Sequence, residues 1–281
     1  MTISLELTNQ DTIEMADFCE YVDKNYTCIN AEALTELAPM MKALCNNRTL
    51  LEDWVIKELK DPTQFQSNNA YSAQTLSFCV VPGKFLVRAN IWLPEKDFHK
   101  VNGKGEQTLF AYYQAHDHNF DFMTIGYYGS GYVTDIYEYN NASVAGKIGE
   151  KVDIRFLETT SLPQGKIMIY RASKDIHIQK FPEEFSISLN LMGPPSTPVR
   201  DQFMFNIESS TIHNIIRSNY TGRKLLLEAA GYLANDNVSD ILESIAKNHL
   251  CSRTREVARK AFTRRWPEQG AEMIQSKTIA I

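Results

Sequence analysis

Apolar residues recur with helical spacing in the first part of the chain, from about residue 10 to residue 60. Leu34, Leu37, Met41 and Leu44 lie three or four positions apart, which places their side chains on one face of a helix. The pair Asp61-Pro62 ends this pattern, because a residue that precedes proline is sterically driven out of the α region. The pattern predicts two or three helices at the start of the chain.

Between about residue 75 and residue 208 the spacing changes to short apolar or alternating segments that are separated by turn residues. No helical pattern interrupts them. Many short strands at this spacing are typical of a β-sandwich or a small barrel and not of a parallel α/β sheet. The segments cover 76–81, 85–93, 108–115, 132–139, 152–157, 166–170 and 185–192, with turn signals such as Asn102-Gly103 and Gly129-Ser130-Gly131 between them.

After about residue 209 the spacing is helical again, in three segments that each carry one apolar stripe. These segments cover 222–234, 238–250 and 253–265, and Pro267 ends the last of them. The last segment resembles a helix of a HEAT repeat. One or two such units cannot bury their apolar faces alone, so we expect them to pack on the barrel or on a partner subunit.

These patterns predict a mainly β protein with three units. They are a helical N-terminal extension over 1–70, a β-barrel over 71–208 and a helical C-terminal extension over 209–281. The terminal helices are also candidates for contacts in a homodimer or with another protein.

Composition and charge narrow the classes of partner. The chain has 281 residues and a formal net charge of −5, so neither nucleic acid nor an anionic membrane is expected to bind it. No stretch approaches the ~18 apolar residues of a membrane span, and the first residues lack the apolar segment of a secretory signal. The five cysteines are far apart and form no CxxC pair, which argues against a disulfide framework. We therefore expect a cytoplasmic protein with reduced thiols.

Two of the six histidines form the sequence His116-Asp117-His118 at the end of a predicted strand. Alternate residues of a strand point to the same face, so both imidazoles share a face and Asp117 points to the other. Two imidazoles so placed can share an ion at ~2.0–2.2 Å. His177 follows 59 residues later, which suits strands on facing sheets of a barrel. The alternatives are a solvent-facing pair at 116 and 118 and a histidine on a rim loop at 177.

At this point the chain resembles the cupin superfamily, and within it the thiol dioxygenase branch. The resemblance covers roughly residues 80–200. It implies a double-stranded β-helix, or jelly-roll, barrel in which the three histidines hold a metal ion. The matching features are His116-Asp117-His118 followed by Gly129 and Gly131, the turn Leu162-Pro163-Gln164-Gly165, and His177 followed by an apolar strand that ends at Pro194-Pro195.

The resemblance also implies substrate-binding residues and shows where the chain departs from the family. Arg88 stands where the family has an arginine that binds the substrate carboxylate. Ser188, Asn190 and Met192 stand where the thiol dioxygenases have a Ser-His-Tyr relay, so the relay imidazole and the tyrosine hydroxyl are missing. Met123 replaces a cysteine that the family often cross-links to that tyrosine. Ser188 and Asn190 remain candidates for hydrogen bonds to a substrate, whereas oxidation of free cysteine is not implied.

Cupins usually add a carboxylate ligand four or five residues after the second histidine, where this chain has Phe122 and Met123. Asp121 is one residue away, and Glu138 is a further candidate. The simplest interpretation is a site of three histidines. Imidazole ligands suit several metals, so Fe(II) is favoured by the resemblance while zinc, nickel, copper and manganese stay open.

Two hypotheses from different classes follow. The first is a non-haem Fe(II)-dependent oxygenase or dioxygenase that uses O2 and acts on a small amino-acid-like or peptidyl substrate. The second is a non-catalytic metal-binding cupin that serves as a small-molecule sensor or as a module that binds a partner.

Overall fold

A computed structural model describes residues 2–60, 74–98, 110–195, 200–233, 236–249 and 251–270. The predicted turn Asn102-Gly103, the Asp61-Pro62 pair and the start of the predicted segment 108–115 lie outside these residues. The helices are α1 (Met15–Asn25), α2 (Ala31–Asn46), α3 (Leu50–Lys60), α4 (Asn219–Leu233), α5 (Ser239–Asn248) and α6 (Ser252–Arg265). The strands are β1 (Ile3–Glu6), β2 (Thr75–Val81), β3 (Phe85–Trp92), β4 (Ala115–His116), β5 (Phe122–Tyr128), β6 (Val133–Tyr139), β7 (Ile154–Ser161), β8 (Lys166–Tyr170), β9 (Asp175–Lys180), β10 (Ser186–Met192), β11 (Gln202–Asn206) and β12 (Thr211–Arg217).

The strands form two antiparallel sheets of six. The first sheet has the order β1-β8-β5-β10-β3-β2 and the second has the order β12-β11-β4-β9-β6-β7. The chain crosses repeatedly from one sheet to the other between β3 and β10, so β8-β5-β10-β3 belongs to one half of the roll and β4-β9-β6-β7 to the other. This strand order is that of an eight-stranded jelly roll, the architecture of the cupins. The predicted fold class, mainly β with helical extensions, is confirmed.

Each strand of the first sheet has one apolar face and one mixed face. On β10, Leu189 and Leu191 point outward and join a core shared with α1, α2 and α3, whereas Ser188 and Asn190 point into the roll. The same alternation on β3 sends Arg88 inward. Helices that cover the outer face of the sheet therefore leave its inner face free for polar chemistry.

Besides β1 and β11, which the predicted strand segments do not include, two segments differ from the predicted elements. The sequence predicts helix after residue 208, but β12 comes first and extends the second sheet beyond β11. Its run of β-branched residues explains the strand. Of the predicted strand 108–115, the described part enters a strand only at Ala115, because Tyr113 adopts a φ of 58° that breaks the extended backbone.

The C-terminal helices α4, α5 and α6 pack on one another through a separate apolar cluster. They join the roll through Arg253, which forms an ion pair with Asp201 and donates to the carbonyl of Gly146 at 2.7 Å. The division of the chain into three units and the likeness to HEAT repeats stay predictions. Among the described residues, no helix is both long enough and apolar enough to cross a membrane.

Candidate metal centre

The structure brings the three predicted histidines together inside the roll. His116 ends β4, His118 follows two residues later, and His177 lies on β9 directly opposite His116 in the antiparallel register. The expectation that His177 lies on the facing sheet is wrong, because β4 and β9 are hydrogen-bonded neighbours in the second sheet. Neighbouring antiparallel strands bring opposed side chains to within about 5.5 Å. This pairing brings the rings of His116 and His177 close enough to bind the same ion.

The Nε2 atoms of the three rings converge. His177 Nε2 lies 3.1 Å from His116 Nε2 and 3.1 Å from His118 Nε2. One ligand nitrogen from each residue lies within 4.8 Å of the others. Two nitrogens 3.1 Å apart are close enough for both to contact one ion at about 2.1 Å.

Each imidazole has a neighbour at its other nitrogen. His116 Nδ1 donates to the carbonyl oxygen of Gln114 at 2.8 Å, which leaves Nε2 with a free lone pair. The amides of Gln202 and Gln179 lie 3.3 Å from His118 Nδ1 and 3.1 Å from His177 Nδ1. The Gln179 amide nitrogen also lies 3.3 Å from His177 Nε2, and Gln179 Oε1 has no hydrogen-bond partner. Partners of this kind orient histidine ligands of metals.

Burial keeps these imidazoles neutral. His116 and His177 are 8% and 2% exposed, and His118 is half-buried. Burial lowers the pKa of His116. Burial, together with the repulsion that the other two rings would exert if they were protonated, holds the pKa of His177 well below its usual value. Burial, His116 and Arg88 hold the pKa of His118 well below its usual value. Neutral imidazole is the form that binds a metal ion.

Asp117 points away from the three rings, as the alternation of a strand predicts. It is fully buried and accepts hydrogen bonds from the Tyr139 hydroxyl and from the Phe203 backbone, both at 2.6 Å. Burial raises the pKa of Asp117 to about 7. These bonds hold the short β4 segment against β6 and β11, so they position the flanking histidines without joining the site.

The histidines line a cavity of about 530 Å³. Its wall combines aromatic and polar side chains from the inner faces of both sheets. The described lining residues besides the histidines are Gln74, Thr75, Arg88, Asn90, Trp92, Ala111, Phe120, Phe122, Tyr132, Gln179, Asn190, Met192, Gln202 and Ile216.

Of the three residues that the sequence suggests for substrate contacts, two line the cavity and one does not. Arg88 and Asn190 are opposed on neighbouring strands β3 and β10, and both line the cavity. Ser188 does not line it, since the Ser188 hydroxyl is buried and accepts a hydrogen bond from the Trp92 indole at 2.9 Å. Ser188 is therefore not part of the cavity wall. Its hydroxyl instead holds the Trp92 side chain, which lines the cavity.

The two candidate carboxylate ligands lie away from the histidines. Glu138 forms ion pairs with Arg155 and Arg171. Asp121 accepts a hydrogen bond from the Ala172 backbone at 2.7 Å. Among the described residues, the cluster that could hold an ion consists of the three histidines and no carboxylate.

The sequence alone misses several residues of the wall. Gln179 was within reach of pattern analysis, because it stands two residues after His177 on the same strand face. Gln74 and Gln202 carry no local signal, because Gln74 lies just before β2 and Gln202 at the start of β11, both distant in sequence from the histidines. Tyr132 looks like any other strand aromatic in the sequence, yet it is buried beside Trp92 with ring centroids 4.3 Å apart.

The residues present fit a divalent metal ion. Three neutral imidazoles offer their Nε2 atoms to one point, the Gln114 carbonyl holds His116 Nδ1, and glutamine amides lie beside the other two rings. All three protein donors are nitrogens, a set that suits iron, zinc, copper or nickel better than calcium or magnesium.

No protein-family model matches the chain, and a search of curated proteins finds no match either. Among solved structures, the chain is similar to hydroxypropylphosphonic acid epoxidase from S. wedmorenis at 11% identity and a TM-score of 0.21, over 43% of this chain and 51% of that one. A variant oxalate decarboxylase of Bacillus subtilis gives 12% identity and a TM-score of 0.24, over 61% and 40%. RmlC from Streptococcus suis gives 11% identity and a TM-score of 0.20, over 44% and 72%.

The matches span about half of the epoxidase and two fifths of the decarboxylase. At these TM-scores the likenesses carry no argument about activity. Strand order and the three histidines instead define the class of protein, which is a cupin-fold chain with a metal-binding geometry in its barrel.

Proposed function

We propose that the protein is a non-haem Fe(II)-dependent oxygenase of the dioxygenase type, which acts on a small amino-acid-like or peptidyl substrate. The observation that supports it most is the convergence of three Nε2 atoms, with separations of 3.1 Å about His177, in a cavity of about 530 Å³. A cavity of this size accommodates a small molecule next to the histidines.

Iron held by three imidazoles would supply open coordination positions and one-electron chemistry with O2. Because the three ligands are neutral, the ion would keep its full positive charge and favour an anionic or chelating substrate. A dioxygenase incorporates both atoms of O2 into its substrate, so the proposed reaction requires no second reductant.

The residues of the chain would bind and orient the substrate. Arg88 lines the same cavity as the three histidines, and its charge adds to burial in lowering the pKa of His116 and His118. An anion between Arg88 and a metal ion held by the histidines would be attracted from both sides. A guanidinium can bind a carboxylate through two parallel hydrogen bonds. Asn190, opposed to Arg88 across β3 and β10, would add a further donor.

The aromatic side chains of the wall would exclude water and confine the substrate. Phe122 stacks on Tyr170 with centroids 4.7 Å apart, and it lies edge-on to His118 at 4.8 Å. Trp92 is held by Ser188 and packs on Tyr132. A rigid apolar wall strengthens electrostatic interactions in the cavity, because it lowers the local dielectric constant.

The test is to prepare the protein without oxygen, load it with Fe(II) and measure O2 uptake with thiols, amino acids and short peptides. We expect one iron per chain and O2 consumption that depends on one class of substrate. His118→Ala should abolish both, while His213→Ala, an exposed histidine on β12, should change neither. Stoichiometric metal without O2 uptake for any class would favour the non-catalytic binding module instead.

A further inference from the structure

The polar residues that the first sheet contributes to the cavity wall lie on β2, β3 and β10, together with Gln74 just before β2. Asn190 on β10 is opposed to Arg88 on β3, and the Gln74 carbonyl accepts a hydrogen bond from the Ile91 backbone at 2.9 Å. This bond places Gln74 opposite Ile91, three residues along β3 from Arg88. Gln74, Arg88 and Asn190 all line the cavity, and we call these three residues the donor wall.

Two amide nitrogens of the donor wall lack hydrogen-bond partners. They are Asn190 Nδ2 and Gln74 Nε2, and their residues are only 4% and 5% exposed. A buried amide donor without an acceptor is costly, and native proteins rarely keep one without a reason. Both residues line the cavity, so a ligand there could supply the missing acceptors.

The charged side chains among the described lining residues are all of one sign, which is positive. Among the lining residues that the structure describes, Arg88 is charged and there is no aspartate or glutamate. A bound metal ion would add further positive charge. An ammonium group in this cavity would lie beside Arg88 and the metal with no carboxylate among the described lining residues to neutralise it, and burying an unpaired charge is strongly unfavourable.

We propose that the cavity selects an acceptor-rich organic anion that carries no free ammonium group, so that any amine of the substrate is absent or acylated. This inference rests on the proposed function for the site but narrows its substrate class. Carboxylate or carbonyl oxygens of the ligand accept hydrogen bonds from Asn190 and Gln74. Free zwitterionic α-amino acids are thereby disfavoured.

Binding to protein loaded with redox-inert Zn²⁺ tests the inference without any turnover. The probes are L-cysteine, N-acetyl-L-cysteine and 3-mercaptopropionate, which share a thiol and a carboxylate and differ at the amine. We expect the acetylated and the amine-free probes to bind at least about tenfold more tightly than L-cysteine in calorimetry. Equal or tighter binding of L-cysteine would overturn the inference.

Isosteric charge variants sharpen the test. Asn190→Asp and Gln74→Glu place a carboxylate in the donor wall, so each should narrow or reverse the preference against L-cysteine. Asn214→Asp, the same exchange at an exposed position of β12, should leave the preference unchanged. Zinc content and melting temperature of each variant show that it is folded and loaded. A preference that persists unchanged in both wall variants would refute the role of the wall.

The inference and the proposed function can fail separately. If the iron-loaded protein consumes no O2 but the zinc-loaded protein still binds L-cysteine more weakly than the other two probes, the oxygenase proposal is refuted and the proposed selectivity of the cavity is supported. If O2 uptake is fastest with free amino acids, the oxygenase stands and the donor wall is refuted.

Discussion

The two faces of the first sheet differ in polarity and in what they pack against. The outer face, with residues such as Leu189 and Leu191, is apolar and buried against α1, α2 and α3. The inner face, one residue away along the same strand, holds Asn190 with an unpartnered amide. The outer face buries apolar area and stabilises the fold, whereas the inner face keeps polar groups that are unfavourable until a ligand binds. The outer face of the sheet therefore provides apolar packing, and the inner face provides polar groups that line the cavity.

The largest expected effect is on the metal. His177→Ala removes the nitrogen that lies 3.1 Å from both other ligands, so metal affinity should fall by more than the ~10–100-fold that loss of an outer partner costs. Competition with a chromogenic chelator measures the affinity. His213→Ala is the control, and a His177→Ala protein that binds metal as tightly as the wild type would contradict the site.

The next effect separates the two faces. Leu189→Ala opens a cavity in the outer core and should lower the free energy of unfolding by about 2–5 kcal/mol. Asn190→Ala removes a buried donor without a partner, so stability should change by less than about 1 kcal/mol or increase. Urea unfolding of the metal-free proteins measures both. Equal losses in the free energy of unfolding for the two variants would contradict the distinction between the two faces of the sheet.

A smaller effect is expected at the outer partner of His177. Gln179→Ala should weaken metal binding by about 10–100-fold, because the amide no longer orients the imidazole. Gln179→Glu supplies an acceptor for the Nδ1 proton and should restore most of that affinity. If both variants bind metal like the wild type, the amide does not orient His177.

The smallest effect concerns the Trp92 indole. Trp92→Phe keeps an aromatic ring but removes the hydrogen bond to Ser188, which is then left buried without its donor. The free energy of unfolding should fall by about 1–3 kcal/mol, with metal affinity unchanged. The double variant with Ser188→Ala should recover part of this loss. Chemical unfolding together with chelator competition checks both statements.

The sequence predicts the features of the molecule that depend on local period. Alternation along a strand predicts that His116 and His118 share a face and that Asp117 points away, and the structure agrees. Turn residues predict the link between β5 and β6, where Gly129 and Gly131 have φ values of 79° and 74° that favour glycine. The fold class follows from the same short, turn-bounded segments.

Features that depend on strand pairing are less accessible to the sequence. His177 was expected on the facing sheet, yet it is the direct neighbour of His116, since separation along the chain does not fix which strands pair. Gln74 and Gln202 reach the cavity from strands far apart in the sequence. Ser188 shows the converse, because only the structure reveals that its hydroxyl binds Trp92. The roles of Arg88, Ser188 and Asn190 stay predictions.

The most direct measurement is an anomalous difference map from crystals of Fe(II)-loaded protein, collected at the iron edge. The account predicts one peak per chain in the barrel, about 2.0–2.2 Å from the Nε2 atoms of His116, His118 and His177. No peak in the cavity, or iron held by other side chains such as Glu138 or Asp121, would contradict it.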